Sequence, residues 1–542
     1  MRRILSIAVL ISVMYATTSN VVAEDVQGAV ADQEITPPIQ VAAKIDGFLE
    51  SHWSTNKVTP ANHAEDATFL RRVTLDLTGR IPTANELDRF LRDKSDDKRR
   101  ELIDRLMNGP EFPLHFGNVL DQMIQTRYAG NSAFVDYLRR SVRDSKPWDV
   151  VFRELMLGPW ETDALKPASR FLDKRAKATD VLAIDTARVF FGVDVSCAKC
   201  HDHPLVDDWK QEHFYGMVAF FNRTTGGKGK VGEKSEGEVT FLGADGKEQT
   251  ARMMFLSGRV VEEPTAAATK SGNEKPRRFS RREQLVNVAL QQKVFFSRAI
   301  VNRLWEYLVG RGLVAPVDQM HSANDSAVPG LLEWLADDFA TSGYDLRRLI
   351  TAIVSSRAYQ LSSLWEQDSP LPNSSSFAAA RLRPLSRRQL AFSLLVATGN
   401  AELTAPNEVQ TRVERYAGVS GIQRIEQYLT IEKQTADLMR SFDMRRSEFH
   451  SSVAEALFLS NNPTAQELVT ADNSNLAARL GKIEDTQKLI TMAVRHVLSR
   501  PPSEEQLVQL TAWFARQGDD RQQASEQLIW ALVTSAEFRF NH

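Results

Sequence analysis

The sequence lacks an excess of charge of either sign. Its 67 Lys and Arg residues stand against 69 Asp and Glu residues, which gives a formal net charge of −2. Nucleic-acid binders carry a basic surface, so this balance argues against a nucleic-acid partner. Hydrophobic residues make up 42% and charged residues 25%, which is ordinary for a globular protein. At 542 residues the chain is too long for one core, so two or three domains are expected.

The sequence also lacks the patterns that identify an enzyme without further help. It has no nucleophile triad, no P-loop, no Gly-rich nucleotide loop and no paired-carboxylate signature. Beyond the N-terminus it has no second apolar run of the roughly 18–20 residues that a bilayer span needs. We therefore predict no stable membrane span, and we leave open whether the protein is an enzyme.

The N-terminus has the three parts of a secretory signal peptide. Met1-Arg2-Arg3 is positively charged, Ile4–Tyr15 is apolar, and Val21-Val22-Ala23 precedes a favourable cleavage position. We predict a signal peptide of residues 1–23, cleaved near Ala23, rather than an uncleaved anchor, because the apolar run is short. No cysteine lies near this position, which argues against a lipoprotein. The mature protein is expected to be periplasmic or otherwise exported.

Helical periodicity and helix-start signals dominate the remaining chain. Pro82-Thr83 followed by Glu86, for example, is typical of a capped helix start. The exception lies near residues 239–256, where two β-prone runs flank Asp245-Gly246 and predict a hairpin. The predicted fold is all-α, with two multi-helix domains and one small β-hairpin insertion.

Composition and periodicity together predict a division of the chain. It comprises a signal peptide (1–23), a polar tether (24–42), a helical domain (43–225), a linker with the small β insertion (226–280) and a second helical domain (281–542). One internal similarity crosses this division. Arg80-Ile81-Pro82-Thr83 with Glu86 resembles Arg500-Pro501-Pro502-Ser503 with Gln506, and a Glu-Phe pair follows each at a distance. Convergent helix starts and a duplicated helical unit both explain it.

The two cysteines of the chain lie together, in Cys197-Ala198-Lys199-Cys200-His201. A Cys-x2-Cys-His sequence is the pattern of covalent haem c attachment. Two thiols add to the two vinyl groups of the porphyrin, and the adjacent imidazole becomes the proximal iron ligand. The predicted export agrees, since bacteria make this attachment outside the cytoplasm. We predict Cys197 and Cys200 as covalent haem positions and His201 as the proximal ligand.

Other interpretations of the motif remain open. A zinc site would use Cys197, Cys200 and either His201 or His203 with one more ligand. A Cys197–Cys200 disulfide or redox pair is favoured by an oxidising compartment, although it closes a very short ring. The two thiols can also lack any role, in which case no cofactor is bound.

The flanks of the motif predict two helices, Val181–Phe191 and Trp209–Phe221, with the motif on their connection. Met217 and His213 lie on the second helix and are candidate distal ligands. His203 is too close to His201 to reach the opposite side of a haem, so a hydrogen-bonding role or an alternative metal role suits it better. Five phenylalanines of the two helices are candidates for an apolar wall: Phe190, Phe191, Phe214, Phe220 and Phe221.

The motif and its surroundings resemble a known family. Cys197 to Pro204, followed by Trp209 and Tyr215-Gly216, is similar to the planctomycete cytochrome-like domain DUF1549, also called PSCyt2. Val301-Asn302-Arg303-Leu304-Trp305 and Ser356-Arg357-Ala358-Tyr359-Gln360 resemble its usual partner, DUF1553, or PSD1. The resemblance covers nearly the whole mature chain. It implies an exported bacterial protein whose associates include DUF1501 proteins and sulfatases.

The leading hypothesis is a monohaem c-type protein in periplasmic electron transfer, with a redox partner protein that the sequence does not identify. The family association suggests, as one alternative, a metal- or haem-dependent enzyme of sulfated polysaccharide breakdown. A structural or interaction protein with a disulfide or zinc site is the other. Many relatives carry an additional cytochrome c domain, but this chain has no second Cys-x2-Cys-His. Electron relay between two haems within the chain is therefore not expected.

Overall fold

Helices build most of the structure, which is a computed structural model. It describes residues 35–202, 206–243, 246–264, 279–400, 422–441, 462–472, 474–518 and 520–542. The predicted signal peptide and most of the predicted tether lie outside these ranges. Within them, β structure is confined to small two-stranded antiparallel sheets, so the mainly helical prediction is confirmed. No helix in these ranges is long and apolar enough to cross a membrane.

Helices follow one another along the described chain with short connections. Those before the β insertion are α1 (Pro38–Asn56), α2 (Asp66–Thr78), α3 (Ala84–Arg92), α4 (Lys98–Met107), α5 (Glu111–Gln125), α6 (Ser132–Arg143), α7 (Trp148–Leu157), α8 (Arg170–Asp173), α9 (Thr179–Phe191) and α10 (Gln211–Phe221). Those after it are α11 (Arg281–Gln291), α12 (Lys293–Val309), α13 (Leu331–Thr341), α14 (Leu346–Ser355), α15 (Arg357–Gln360) and α16 (Arg387–Thr398). Further helices span Ile422–Ser441, Pro463–Glu467, Leu476–Leu480, Thr486–Leu498, Glu504–Phe514, Arg521–Thr534 and Ala536–Arg539.

Helix α1 corrects the end of the predicted tether. The tether was expected to continue to residue 42, but the helix begins at Pro38. Proline suits the first turn of a helix, because its fixed φ is already helical and its missing N–H has no helical partner there. Val41 and Ala42 are buried and extend the apolar face that continues through Ile45. Hydrophobic burial therefore outweighs the polar composition of this segment.

Among the described residues, four antiparallel strand pairs lie outside the helices. Thr240–Leu242 (β3) pairs with Glu248–Thr250 (β4), which confirms the hairpin predicted near residues 239–256. Thr224–Gly227 (β1) pairs with Lys230–Glu233 (β2), although this stretch was interpreted as part of a linker. The other two pairs join Met253–Met254 to Val260–Val261 (β5 and β6) and Arg383–Pro384 to Phe540–Asn541 (β7 and β8).

The β1–β2 hairpin has a physical reason that composition alone conceals. Its two turn residues, Lys228 and Gly229, both have positive φ, at 55° and 76°. Two such residues form the tight turn whose twist matches that of paired strands. The glycines and lysine that suggest a flexible linker therefore serve a defined turn here.

The hydrophobic clusters do not follow the predicted division at residues 226–280. One cluster contains buried side chains from Val41 to Ala378 and so spans α1 to α15 and the β insertion. The second runs from Leu385 to Phe538 and also takes Leu75, Ile81 and Leu114 from the N-terminal part of the chain. Residues 37–542 form one compact unit. The predicted boundary at residues 226–280 therefore does not coincide with a boundary between the two hydrophobic clusters.

The internal similarity noted in the sequence recurs in the contacts. Arg80 pairs with Glu86 at 2.8 Å and with Glu111 at 3.0 Å, next to the capping box of Thr83 and Glu86. Arg500 pairs with Glu537 at 2.5 Å and donates to Gln506 at 2.8 Å, next to the capping box of Ser503 and Gln506. A residue of positive φ, Gly79 or Ser499, precedes each arginine. The shared contacts favour a duplicated helical unit.

Candidate functional site

The Cys-x2-Cys-His sequence lies on the connection between α9 and α10, as predicted. Helix α9 ends at Phe191, where Gly192 takes a positive φ of 67°. Residues Cys197–Lys199 then form a 3-10 turn, in which the N–H of Cys200 donates to the carbonyl oxygen of Cys197 at 3.4 Å. The segment Cys197–His201 is called the Cys-His turn below.

The 3-10 geometry sets the direction of the two thiols. Side chains three residues apart eclipse one another in a 3-10 turn, so Cys197 and Cys200 share one side. Ala198 lies between them in sequence and is fully buried in the first hydrophobic cluster. Both cysteines are unpaired and exposed to solvent. The turn therefore has one apolar residue fixed in the core and two thiols on its outer side.

The imidazole of His201 is exposed and has a defined hydrogen bond. Its Nδ1 lies 2.7 Å from the carbonyl oxygen of Asp202. A carbonyl oxygen only accepts, so the neutral ring carries its proton on Nδ1 and its lone pair on Nε2. Histidine ligands of metals usually donate their other ring N–H to such an oxygen. In this tautomer Nε2 of His201 is the ring nitrogen that carries the lone pair.

The charged neighbours of the turn are bound to helix ends and loops. Lys199 pairs with Asp180 of α9 at 2.7 Å. The side chain of Asp202 accepts from the backbone N–H of Gln211 at 2.9 Å and so caps the start of α10. The side chain of Asp208 accepts from the backbone N–H and the hydroxyl of Ser322. Helix α10 consequently begins at Gln211 rather than at Trp209.

Two family models match the chain. Residues 44–226 match PSCyt2, a protein of unknown function (DUF1549), and residues 281–514 match PSD1, a protein of unknown function (DUF1553). The chain is a PSCyt2–PSD1 protein. The order of the two domains agrees with the predicted resemblance. Comparisons with curated proteins and with solved structures gave no match.

The aromatic residues proposed as a haem wall lie in the interior of the PSCyt2 match. All five phenylalanines are buried, with at most 1% of each exposed. The ring centroid of Phe190 lies 4.8 Å from that of Phe152, and the ring centroid of Phe191 lies 5.1 Å from that of Phe255. These faces are occupied by other side chains of the same core. In this structure the five phenylalanines therefore pack in the protein core, against other side chains of the chain.

The two candidate distal ligands that the structure describes, His213 and Met217, have different surroundings on α10. Nδ1 of His213 accepts from the backbone N–H of Lys210 at 3.2 Å, so the proton of the neutral ring is on Nε2. Burial lowers the pKa of this histidine. Met217 is fully buried. His203 lies outside the described residues. A distal role for His213 or Met217 would require either side chain to leave its present contacts.

The zinc interpretation has no assembled site in the part of the chain that the structure describes. Zinc needs four donors around one point, at about 2.0–2.3 Å. Within the described ranges, no three Cys, His, Asp or Glu side chains are grouped closely enough to hold a metal ion.

Sequence reasoning missed the residues that support the turn. Gln211 and Tyr215 of α10 both donate to backbone carbonyl oxygens of the Cys-His turn. Tyr215 was noted only as part of the family pattern, and Gln211 was not noted at all. They lie four residues apart on the helix that follows the motif, so they share one face of it. That spacing is the sequence feature from which a joint contact with the motif could have been predicted.

Proposed function

We propose that this PSCyt2–PSD1 protein is an exported, monohaem c-type protein that transfers electrons outside the cytoplasm. The observation that carries the proposal is the Cys-His turn. It has two exposed thiols on one side, followed at once by an imidazole whose Nε2 holds the lone pair. This donor set fits haem c in number, spacing and protonation.

The chain's own residues would do three things for the bound group. Cys197 and Cys200 would hold the ring through thioether links, and Nε2 of His201 would hold the iron. The Nδ1–H of His201, donated to Asp202, fixes the ring orientation and raises the basicity of Nε2. The haem would supply one-electron exchange at its iron. Exposure of the turn would leave the ring edge close to a redox partner.

Export and association complete the proposal. Residues 1–23 would direct the chain out of the cytoplasm and be removed near Ala23. The redox partner would be a protein of the same compartment, and DUF1501 proteins and sulfatases are candidates by family association alone. His213 and Met217 stay the candidates for a second iron ligand.

The deciding experiment is an alkaline pyridine haemochrome spectrum of the full chain, made with its signal peptide beside a cytochrome c maturation system. We expect a spectrum of two thioether links from the wild type, and none from the Cys197→Ser, Cys200→Ser double variant. Asp180→Asn is a matched control, because it loses a contact of the turn but keeps both thiols. A colourless wild type from a competent host would reject the proposal.

A second candidate is a reversible Cys197–Cys200 disulfide. It is favoured by the position of both thiols on the same exposed side of one turn. Thiol counting separates the two proposals. A disulfide protein would give no free thiols after air oxidation, two after reduction, and no haem in either state. A haem-loaded protein would give no free thiols under both conditions.

A further inference from the structure

The first two turns of α10 bind the Cys-His turn through side chains. Nε2 of Gln211 donates to the carbonyl oxygen of Cys200 at 3.0 Å. The hydroxyl of Tyr215 donates to the carbonyl oxygen of Lys199 at 3.0 Å. The backbone N–H of Gln211 also donates to the side chain of Asp202. Two bonds therefore join α10 to the Cys-His turn, and a third joins it to Asp202, the residue that follows the turn.

These bonds hold two consecutive peptide groups. The carbonyl of Lys199 belongs to the peptide group that leads into Cys200, and the carbonyl of Cys200 to the group that leads into His201. Each peptide group is planar, so a bond to its oxygen limits the rotation of the whole group. Together they restrict the backbone on both sides of Cys200 and ahead of His201. The directions of one thiol and of the imidazole depend on that backbone.

The two donors come from fixed positions. Gln211 is largely buried, with 8% of the residue exposed. The ring of Tyr215 stacks on Phe241 of β3, with centroids 4.3 Å apart and planes at 12°. Helix α10 itself lies close against β5. The approach is so close that a Cβ at Gly216 would come within 2.6 Å of the Cβ of Met254. The support of the Cys-His turn is therefore part of the folded core and its β insertion.

We propose that Gln211 and Tyr215 are positioning residues for Cys200 and His201. Both act through backbone carbonyl oxygens, those of Cys200 and Lys199, rather than through the thiol or the imidazole. The proposal rests on the proposed function, since it takes the thiol and the imidazole to be the reactive groups. It adds that their placement is set by α10 before any cofactor is bound.

The test uses the full chain made without haem and kept reduced. Alkylation of Cys197 and of Cys200 by iodoacetamide is followed separately by mass spectrometry. We expect Gln211→Met, which keeps length but loses the donor, to raise the rate at Cys200 relative to Cys197 about fivefold, the effect of one lost hydrogen bond of about 1 kcal/mol. Gln211→Glu should raise it further, because two acceptors then face each other.

Two further variants keep the test decisive. Tyr215→Phe removes one oxygen and retains the stacking on Phe241, so it remains informative if the Gln211 variants do not fold. Glu212→Gln, an exposed neighbour on α10, is the control and should leave the ratio unchanged. Equal Cys200-to-Cys197 ratios in the wild type, Gln211→Met and Tyr215→Phe would overturn the proposal.

The haem-loaded protein gives an independent measurement. We expect Gln211→Met and Tyr215→Phe to shift the reduction potential from the wild-type value while the control does not, since the orientation of His201 changes. An unshifted potential in both variants would count against a role for His201 orientation. A wild type that takes up no haem would reject the proposed function, and the alkylation ratios would still decide this inference.

Discussion

At the scale of single residues, Asp76 of α2 is a carboxylate in the interior that needs partners to stay charged. It is fully buried, and its carboxylate accepts from Tyr359 at 2.8 Å, Arg383 at 2.7 Å and Asn541 at 2.9 Å. A buried charge is tolerated only when it is paired and hydrogen-bonded. Here the acceptor lies in the PSCyt2 match, whereas two of its three donors lie in the PSD1 match.

Removal of this carboxylate should therefore be costly. Asp76→Ala leaves the partly buried guanidinium of Arg383 without its charge partner and the buried hydroxyl of Tyr359 without its acceptor, so we expect the free energy of unfolding to fall by about 3 kcal/mol. Urea unfolding followed by tryptophan fluorescence measures it. Asp104→Ala is the matched control. Asp104 is exposed, and its ion pair with Arg100 is long, at 3.8 Å, so its loss should cost little. Equal losses in the two variants would contradict the burial argument.

Sequence patterns anticipated the residues of the site but not their surroundings. Cys197, Cys200 and His201 form a contiguous motif, so a candidate site can be located from the sequence alone, and its chemistry stays a prediction. The bond from Gln211 to Cys200 depends on the path of an irregular loop, which no periodic pattern encodes. The phenylalanines beside the motif were ambiguous for the same reason. An apolar face looks alike in sequence whether it meets a cofactor or another helix.

At the scale of elements, prediction succeeded where the signals are local. The end of α9 at Gly192, the capping box of α3 and the hairpin of β3 and β4 follow from residues within one or two turns. It failed for β1 and β2, where turn glycines resemble a linker. The start of α1 was also misplaced, because burial of Val41 and Ala42 is a long-range effect.

The internal similarity permits a comparison between its two arginines, Arg80 and Arg500. The side chain of Arg80 is 9% exposed and faces two carboxylates, whereas that of Arg500 is 25% exposed and faces one carboxylate and one neutral amide. We expect Arg80→Met to lower the free energy of unfolding more than Arg500→Met, since it strands two negative charges instead of one. Parallel urea titrations of both variants measure this, and the reverse order would contradict it.

The effect of Arg80 should also depend on pH. Burial raises the pKa of Glu86, but the charge of Arg80 outweighs it and lowers that pKa from 4.5 to about 2. A carboxylate whose pKa is depressed in the folded state stabilises it above its unfolded pKa, and this stabilisation is lost as pH falls. The stability difference between the wild type and Arg80→Met should therefore shrink between about pH 4.5 and pH 2.

At the scale of the whole molecule, the two family matches share their interior. Helix α2 illustrates this, because Arg72 donates to the carbonyl oxygen of Leu361, inside the PSD1 match, at 2.9 Å. Arg71 of the same helix donates to that of Phe538, beyond the match, at 2.7 Å. The first hydrophobic cluster also includes Trp305 and Tyr359, well inside the PSD1 match. Sequence families mark inherited segments, and nothing in a family boundary requires that each segment bury its own core.

This packing predicts that the PSCyt2 match does not fold alone. A fragment of residues 37–264 would expose the apolar surface that α11 to α15 cover, and would leave Arg72 and Asp76 without their distant partners. We expect it to lack near-ultraviolet circular dichroism and to be digested rapidly by protease, unlike residues 37–542. Co-expression with residues 279–542 should restore a protease-resistant complex. A fragment that unfolds cooperatively as a monomer would show instead that the shared cluster is dispensable, and that the Cys-His turn belongs to an independent domain.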